Sequence, residues 1–311
     1  MNETFPSTHA PLITQLRHDP LRHITPLKML ALYGAAMRVI PLNTAPKSGE
    51  SAALVMITPR AVSQYDQTHY ADVDWVVYPA LPEDADAALV ERCVDAVLMA
   101  VGDASFVVKT IDEPVVAALR GRLPERRAPQ YRRALCTFGV ADDAAFTARS
   151  ARHEGIDPND MEPRELSAAT IRVSDHLPAE ALPLLRAHAV YSETELITLF
   201  AEGAARCHLR FEHPLANSAG ASGASPAAVG VLLTFPNTPE IHEIGSLHVH
   251  GAARRAGHAR ALLASALDDL RRRQLTARYV VDATNAPSIA LAQACGLQER
   301  LRLSHWVVPA N

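Results

Sequence analysis

The run Arg254-Arg255-Ala256-Gly257-His258-Ala259 joins a β-like stretch, Ile241 through His250, to a stretch in which Leu262, Leu263, Ala266, Leu267 and Leu270 recur at helical spacing. A helix with one apolar face has to lay that face on a sheet. Tyr279-Val280-Val281 follows, apolar without alternation, as a parallel strand covered on both faces is. The spacing therefore predicts strand, turn, helix, strand. Glycine at the helix entry lets the backbone turn sharply and approach a ligand closely. The amides of Arg255, Ala256, Gly257, His258 and Ala259 can then point at one anion, with the helix dipole behind them. Arg254, Arg255 and Arg260 add positive charge around the same turn. Such a turn can hold a pyrophosphate. One strand later, Asn285 stands where a helix cap is needed, Pro287 suits the first turn and Gly296 suits the end.

Bulk composition narrows the partners. At 311 residues the chain is long enough for two domains. A net charge of -4 provides no general attraction to nucleic acid or to an anionic membrane, so neither is expected as a partner. Arg271-Arg272-Arg273 is the densest basic run, and it reads as a solvated helix end complementing the dipole. Cys93, Cys136, Cys207 and Cys295 lie far apart without metal-ligand or disulfide spacing, and read as reduced core residues. The start of the chain lacks a basic and then apolar leader pattern, and no long apolar run occurs, so a cytoplasmic location is the expectation.

The second half reads as Thr170 to Val173 strand, a helix-like stretch from Ala179 to Ala189, helix over Glu193 to Ala201, then strands at Cys207 to Phe211 and Val229 to Phe235. Asn217 to Pro226 has the composition of a loop inserted between those strands. The first half repeats part of this plan. Ala104 to Pro114 aligns without a gap on Ala277 to Pro287, an offset of 173 that also puts Trp75-Val76-Val77 on His248-Val249-His250. The equivalent of the glycine turn is missing there. Pro79 lacks an amide donor, and Glu83 and Asp84 would repel a phosphate. The expected organisation is a degenerate first copy over residues 1–141, a connector over 142–167 and a catalytic copy over 168–311.

The Arg-x-x-Gly-x-Ala turn, Glu243 eleven residues before Arg254, and the unit from Tyr279 through Asn285 to Gly296-Leu297 together resemble the GNAT superfamily of acyl-CoA-dependent N-acyltransferases. The resemblance implies an α/β fold in which a mixed α+β sheet with splayed parallel strands is flanked by helices, here as two GNAT-like domains in tandem. It implies acetyl-CoA or another acyl-CoA as cosubstrate, with pyrophosphate on Arg254, Arg255, Ala256, Gly257, His258, Ala259 and Arg260. Leu247, His248, Val249 and Asn285 match positions along the pantetheine arm. Glu243 matches a catalytic glutamate of several members, and the stretch through Arg254 is locally similar to glycine N-acyltransferase. A carboxylate among apolar strand residues would have its pKa raised by desolvation, which suits a general base. The implied reaction is N-acyl transfer, acetyl by expectation, to a primary amine of a small molecule or amino acid.

One position departs from the family pattern. Where many members carry a tyrosine able to protonate the departing thiolate, this chain has Ala292. The alanine supports a rival reading, a non-catalytic protein that binds acyl-CoA as a regulatory ligand or serves as an interaction scaffold. His242, His248 and His250 cluster near the turn, and His248 has the titration range to assist or replace Glu243. With no carboxylate or cysteine to complete a ligand set, no metal is expected. The sequence leaves the acceptor and the oligomeric state open.

Overall fold

The computed structural model describes residues 10–43, 53–140, 170–188, 193–201, 203, 205–212 and 227–311. The connector expected over 142–167 and the loop expected over 217–226 lie outside these residues. The chain divides into two compact units. Unit 1 is Met1–Cys136 with Leu301–Asn311, and unit 2 is Thr137–Arg300.

Unit 1 begins with helices α1 (Ala10–Leu16) and α2 (Ile24–Tyr33). Strands β1 (Arg38–Pro41) and β2 (Leu54–Pro59), helix α3 (Gln64–His69) and strand β3 (Trp75–Ala80) come next. Helix α4 (Ala87–Val101), strand β4 (Phe106–Thr110), helix α5 (Glu113–Arg122) and strand β5 (Gln130–Val140) complete the first half. β1, β2 and β3 pair antiparallel, and β3 pairs parallel with β4. The alternation of β3 decides which helices cover which face. Val76 and Tyr78 face the cluster built with Leu16, Leu27 and Leu30 of α1 and α2, whereas Val77 faces Cys93, Val97 and Leu119 of α4 and α5. Both faces of the sheet are thus covered, and the strands read as near-continuous apolar runs.

Unit 2 begins with β6 (Ile171–Ser174), α6 (Leu182–His188) and α7 (Glu193–Ala201), then β7 (Arg206–Glu212), β8 (Ala227–Pro236) and β9 (Ile241–Val249). It continues through α8 (His258–Arg272), β10 (Thr276–Asp282), α9 (Ala286–Ala294) and the start of β11 (Leu297–Val308). β6 through β9 form an antiparallel meander, and β9 pairs parallel with β10. On one face Cys207, Leu209, Val231, Leu233 and Phe235 pack on Leu184, Leu185, Leu196 and Phe200 of α6 and α7. On the other, α8 buries Leu262, Leu263, Ala266, Leu267 and Leu270 against β7 to β10. Each fully buried leucine of this kind is worth about 2 kcal/mol. Gly230 makes room for the helix, since a β-carbon there would stand 2.9 Å from Leu262 Cδ1.

The architecture is the mixed α/β sheet with flanking helices expected from the sequence, and a parallel strand–helix–strand unit recurs in both halves. The single offset of 173 does not carry through the recurrence. Phe106 pairs with Trp75, but Tyr279 pairs with Ile244, where the offset would require His248. β3 runs on through Pro79 and Ala80. The last strand is shared between the units: Leu301 to Val308 belongs to unit 1, where Ser304 to Val308 pairs antiparallel with β4. Unit 1 thus takes in the end of the chain, Leu301–Asn311.

Candidate active site

Three features of unit 2 converge at the C-terminal ends of β9 and β10. The first is the parting of these strands. Their ladder runs from Ile241–Thr276 to Ile244–Tyr279, after which β9 continues to Val249 and β10 to Asp282 outside the pairing. Backbone donors and acceptors on the facing edges are thereby left for an extended ligand to satisfy.

The second is a β-bulge. The register of β8 on β9 passes from Leu233–Gly245 to Val231–His248, so β9 carries one residue more than its partner. Ser246 takes up the extra length with φ of 51°, in the left-handed region. The consequence is a change of side. In a regular strand Glu243 and His248, five residues apart, would point to opposite faces. Here Glu243 is opposite Phe235 and His248 opposite Val231, and both of those partners belong to the cluster under α6 and α7. Glu243 and His248 therefore share the α6/α7 face.

The third is the turn into α8. Arg255 and Gly257 both have positive φ, 67° and 79°, and Gly257 is the N-cap without any side-chain capping bond. The first backbone bond of the helix runs from Ala261 N–H to Gly257 C=O, so the preceding amides of Gly257, His258, Ala259 and Arg260 have no partner within the helix. Arg254 steadies the turn by donating from Nε to the Val249 carbonyl at 3.1 Å. Arg255, Ala256 and Arg260 are exposed around it, and Ala259 is half-buried. The His258 ring is not part of this surface. It turns inward, accepts from Arg210 Nε at Nδ1 (3.4 Å) and places Nε2 2.6 Å from Glu212 Oε1, leaving only its amide at the turn. The corresponding helix of unit 1 differs at its start. Asp86 caps α4 by accepting from the Leu89 amide at 2.7 Å, so a carboxylate already occupies that N-terminus.

Glu243 is set in a polar frame. Its Oε2 accepts from Arg278 Nη1 at 2.6 Å and from Asn237 Nδ2 at 2.8 Å, and the side chains of Glu243 and Arg278 are 13% and 8% exposed. The register pairs Arg278 with Glu243 directly across β10 and β9. Desolvation by apolar neighbours was the expected influence on this carboxylate. The structure places a buried cation, Arg278, against it. Arg278 and Asn237 carried no sequence signal, because the pairing depends on strand register. Asn285 is the N-cap of α9, with Oδ1 accepting from the Ser288 amide at 3.2 Å. Leu247 and His248 are half-buried and Val249 is buried.

The histidines divide by face. His208 and His242 lie buried, and burial pushes both down to about 4. His248 is held below its ordinary value by burial first, then by Arg254 and His250. Across from it stands His188, the last residue of α6, whose ring centroid is 5.5 Å from that of His248. Ala292 is fully buried in α9. Among the described residues no three His, Cys, Asp or Glu side chains gather in a metal-ligating group, and no helix is long and apolar enough to cross a membrane.

Comparison with known proteins places the fold. Residues 185–297, which run from α6 through the first residue of β11, match the model of the Acetyltransferase (GNAT) family. No curated protein matches the sequence. Among solved structures, a tandem GNAT protein from the clavulanic acid biosynthesis pathway, without AcCoA, is similar over 100% of this chain and 96% of its own, with a TM-score of 0.51 and 13% identity. A Drosophila protein is similar over 98% and 96%, with a TM-score of 0.53 and 16% identity. A GNAT-family acetyltransferase from Colwellia psychrerythraea covers 95% and 97%, with a TM-score of 0.52 and 8% identity. At such identities the likeness is one of fold. The chain shares the fold of solved GNAT proteins, a tandem one among them, and its residues 185–297 match the Acetyltransferase (GNAT) family.

Proposed function

We propose that unit 2 transfers an acyl group, acetyl in the simplest case, from acyl-CoA to a primary amine of a small molecule or amino acid. The observation that carries the reading is the parting of β9 from β10 just before an uncapped helix N-terminus. A diphosphate fits the turn into α8, since converging amides and the helix dipole favour an anion there. An extended pantetheine fits the parting of the strands, lying along Leu247, His248 and Val249 with Asn285 at the far wall.

Two protons leave the nitrogen during such a transfer. The acceptor reaches the site as an ammonium and must lose one proton before its lone pair can attack. Glu243 is the group we assign to that step, directly or through a water. Arg278 and Asn237 both donate to Glu243 Oε2 and so fix the carboxylate in place.

A thiol-release assay with acetyl-CoA and a panel of primary amines tests the reading. Turnover that falls about 100-fold or more in Glu243→Gln, with CoA affinity kept, is the expected result. Acetyl-CoA binding without turnover on any amine would favour the rival, a protein that senses acyl-CoA, and Ala292 is the residue that motivates it.

A further inference from the structure

Where the resembling family carries a side chain able to protonate the leaving sulfur, unit 2 has Ala292, which is fully buried. The second proton of the nitrogen also needs a carrier. A pair of imidazoles stands on the face where both tasks arise. His188 from α6 and His248 from β9 approach to 5.5 Å between ring centroids with 41° between their planes, close enough for one water to bridge their nitrogens. Both are half-buried. Among the described residues no hydrogen bond ties either ring to another partner. His248 belongs to the stretch of β9 that has left the ladder with β10, and the bulge at Ser246 turns it to the side of Glu243.

We propose that His248 takes the second amine proton and returns it to the CoA sulfur, with His188 as the residue that positions and shares the charge of His248. The inference rests on the acyltransferase reading above. As the nitrogen lone pair attacks, the C–N bond forms and the thioester carbonyl becomes tetrahedral. The nitrogen, now cationic, gives its remaining excess proton to His248. The carbonyl re-forms, the C–S bond breaks, and sulfur leaves with the electron pair. The imidazolium then protonates the thiolate. That last transfer runs downhill, because the thiolate of a thiol with an ordinary pKa of about 8.5 binds a proton more tightly than an imidazole held below its ordinary value of about 6.5. The histidine returns to its neutral form, so no further acid or base is consumed.

The surrounding charges suit a pair that carries one proton at a time. Burial lowers both rings, so both are neutral and able to accept near pH 7. Arg254 and His250 at the end of β9 lower His248 further, and the charge on His248 lowers His188. Glu243 lies on the same face of β9.

Full-length His248→Gln and His188→Gln are compared with the wild type for thiol release, acetyl-CoA affinity and histidine ring-proton NMR titration. His248→Gln is expected to lower kcat about 100-fold or more with affinity for acetyl-CoA retained, and His188→Gln to lower it by less. In the wild type His188 should protonate only after His248, and in His248→Gln its titration should move to higher pH. Retained affinity identifies a variant that has folded, and the wild-type titration gives a second reading that needs no variant. Wild-type kcat in His248→Gln, or two histidines titrating independently, would overturn the inference while leaving the acyltransferase reading intact. A wild-type protein that releases no thiol with any amine would remove both.

Discussion

Glu243 and His248 stand five residues apart on one strand and yet present their side chains to the same face, because Ser246 between them occupies the left-handed region with φ of 51°. The bulge thereby decides whether a carboxylate and an imidazole can serve one substrate.

Ser246 is the residue that pays for this arrangement, since an L-residue in that region costs about 1–2 kcal/mol. Ser246→Gly should keep the bulge, and thermal unfolding should show stability equal to or above that of the wild type. Ser246→Val adds a branched side chain at a buried position of positive φ. It should lower stability by at least about 1 kcal/mol and depress kcat more than acetyl-CoA affinity. Equal kcat in the valine variant would contradict the role of the bulge.

Asn285 combines two roles that can be separated. Its side chain caps α9 through the Ser288 amide, and loss of such a cap costs about 1 kcal/mol. Asn285→Ser keeps a capping oxygen and removes the rest of the amide. If the residue also meets the pantetheine arm, the serine variant will match the wild type in melting temperature but bind CoA more weakly. Unchanged affinity in both Asn285→Ser and Asn285→Ala would confine the residue to capping.

Acid should destabilise the protein before its carboxylates titrate. His208 is fully buried with a pKa pushed down to about 4, while in the unfolded chain it protonates near 6.5. Between these values the unfolded state binds more protons, so stability is complete above about pH 6.5 and falls as the pH drops toward 4. The gap is worth about 3 kcal/mol for this one group. His242, lowered likewise, acts in the same direction. Urea denaturation midpoints measured from pH 7 to pH 4.5 check the slope, which should be shallower in His208→Gln. A flat profile in the wild type would contradict it.

What the sequence shows of the fold follows from periodicity. The apolar spacing of α8, the unbroken valines of β10 and the limits of α7 were readable, because burial on one face or two leaves a pattern in the chain. The turn at Gly257 was readable for a related reason, since glycine marks a backbone that side chains would obstruct. The bulge was not, because Gly245-Ser246-Leu247 looks like ordinary strand and only the pairing with β8 reveals the extra residue. Arg278 was missed because its partner is set by parallel register across a helix-long connection. His188 was missed because it sits at the end of a helix far away in sequence. The exchange of Leu301 to Val308 into unit 1 is invisible to any reading that divides a chain in sequence order.

The central claim is that amides around Gly257 converge on a diphosphate, and calorimetric titration of the full-length protein tests it most directly. Coenzyme A should bind with measurable heat, pantetheine lacking the diphosphate should bind far more weakly, and Gly257→Ala, which places a β-carbon at φ of 79°, should weaken coenzyme A while leaving pantetheine unchanged. No heat from coenzyme A, or equal binding of coenzyme A and pantetheine, would contradict the account.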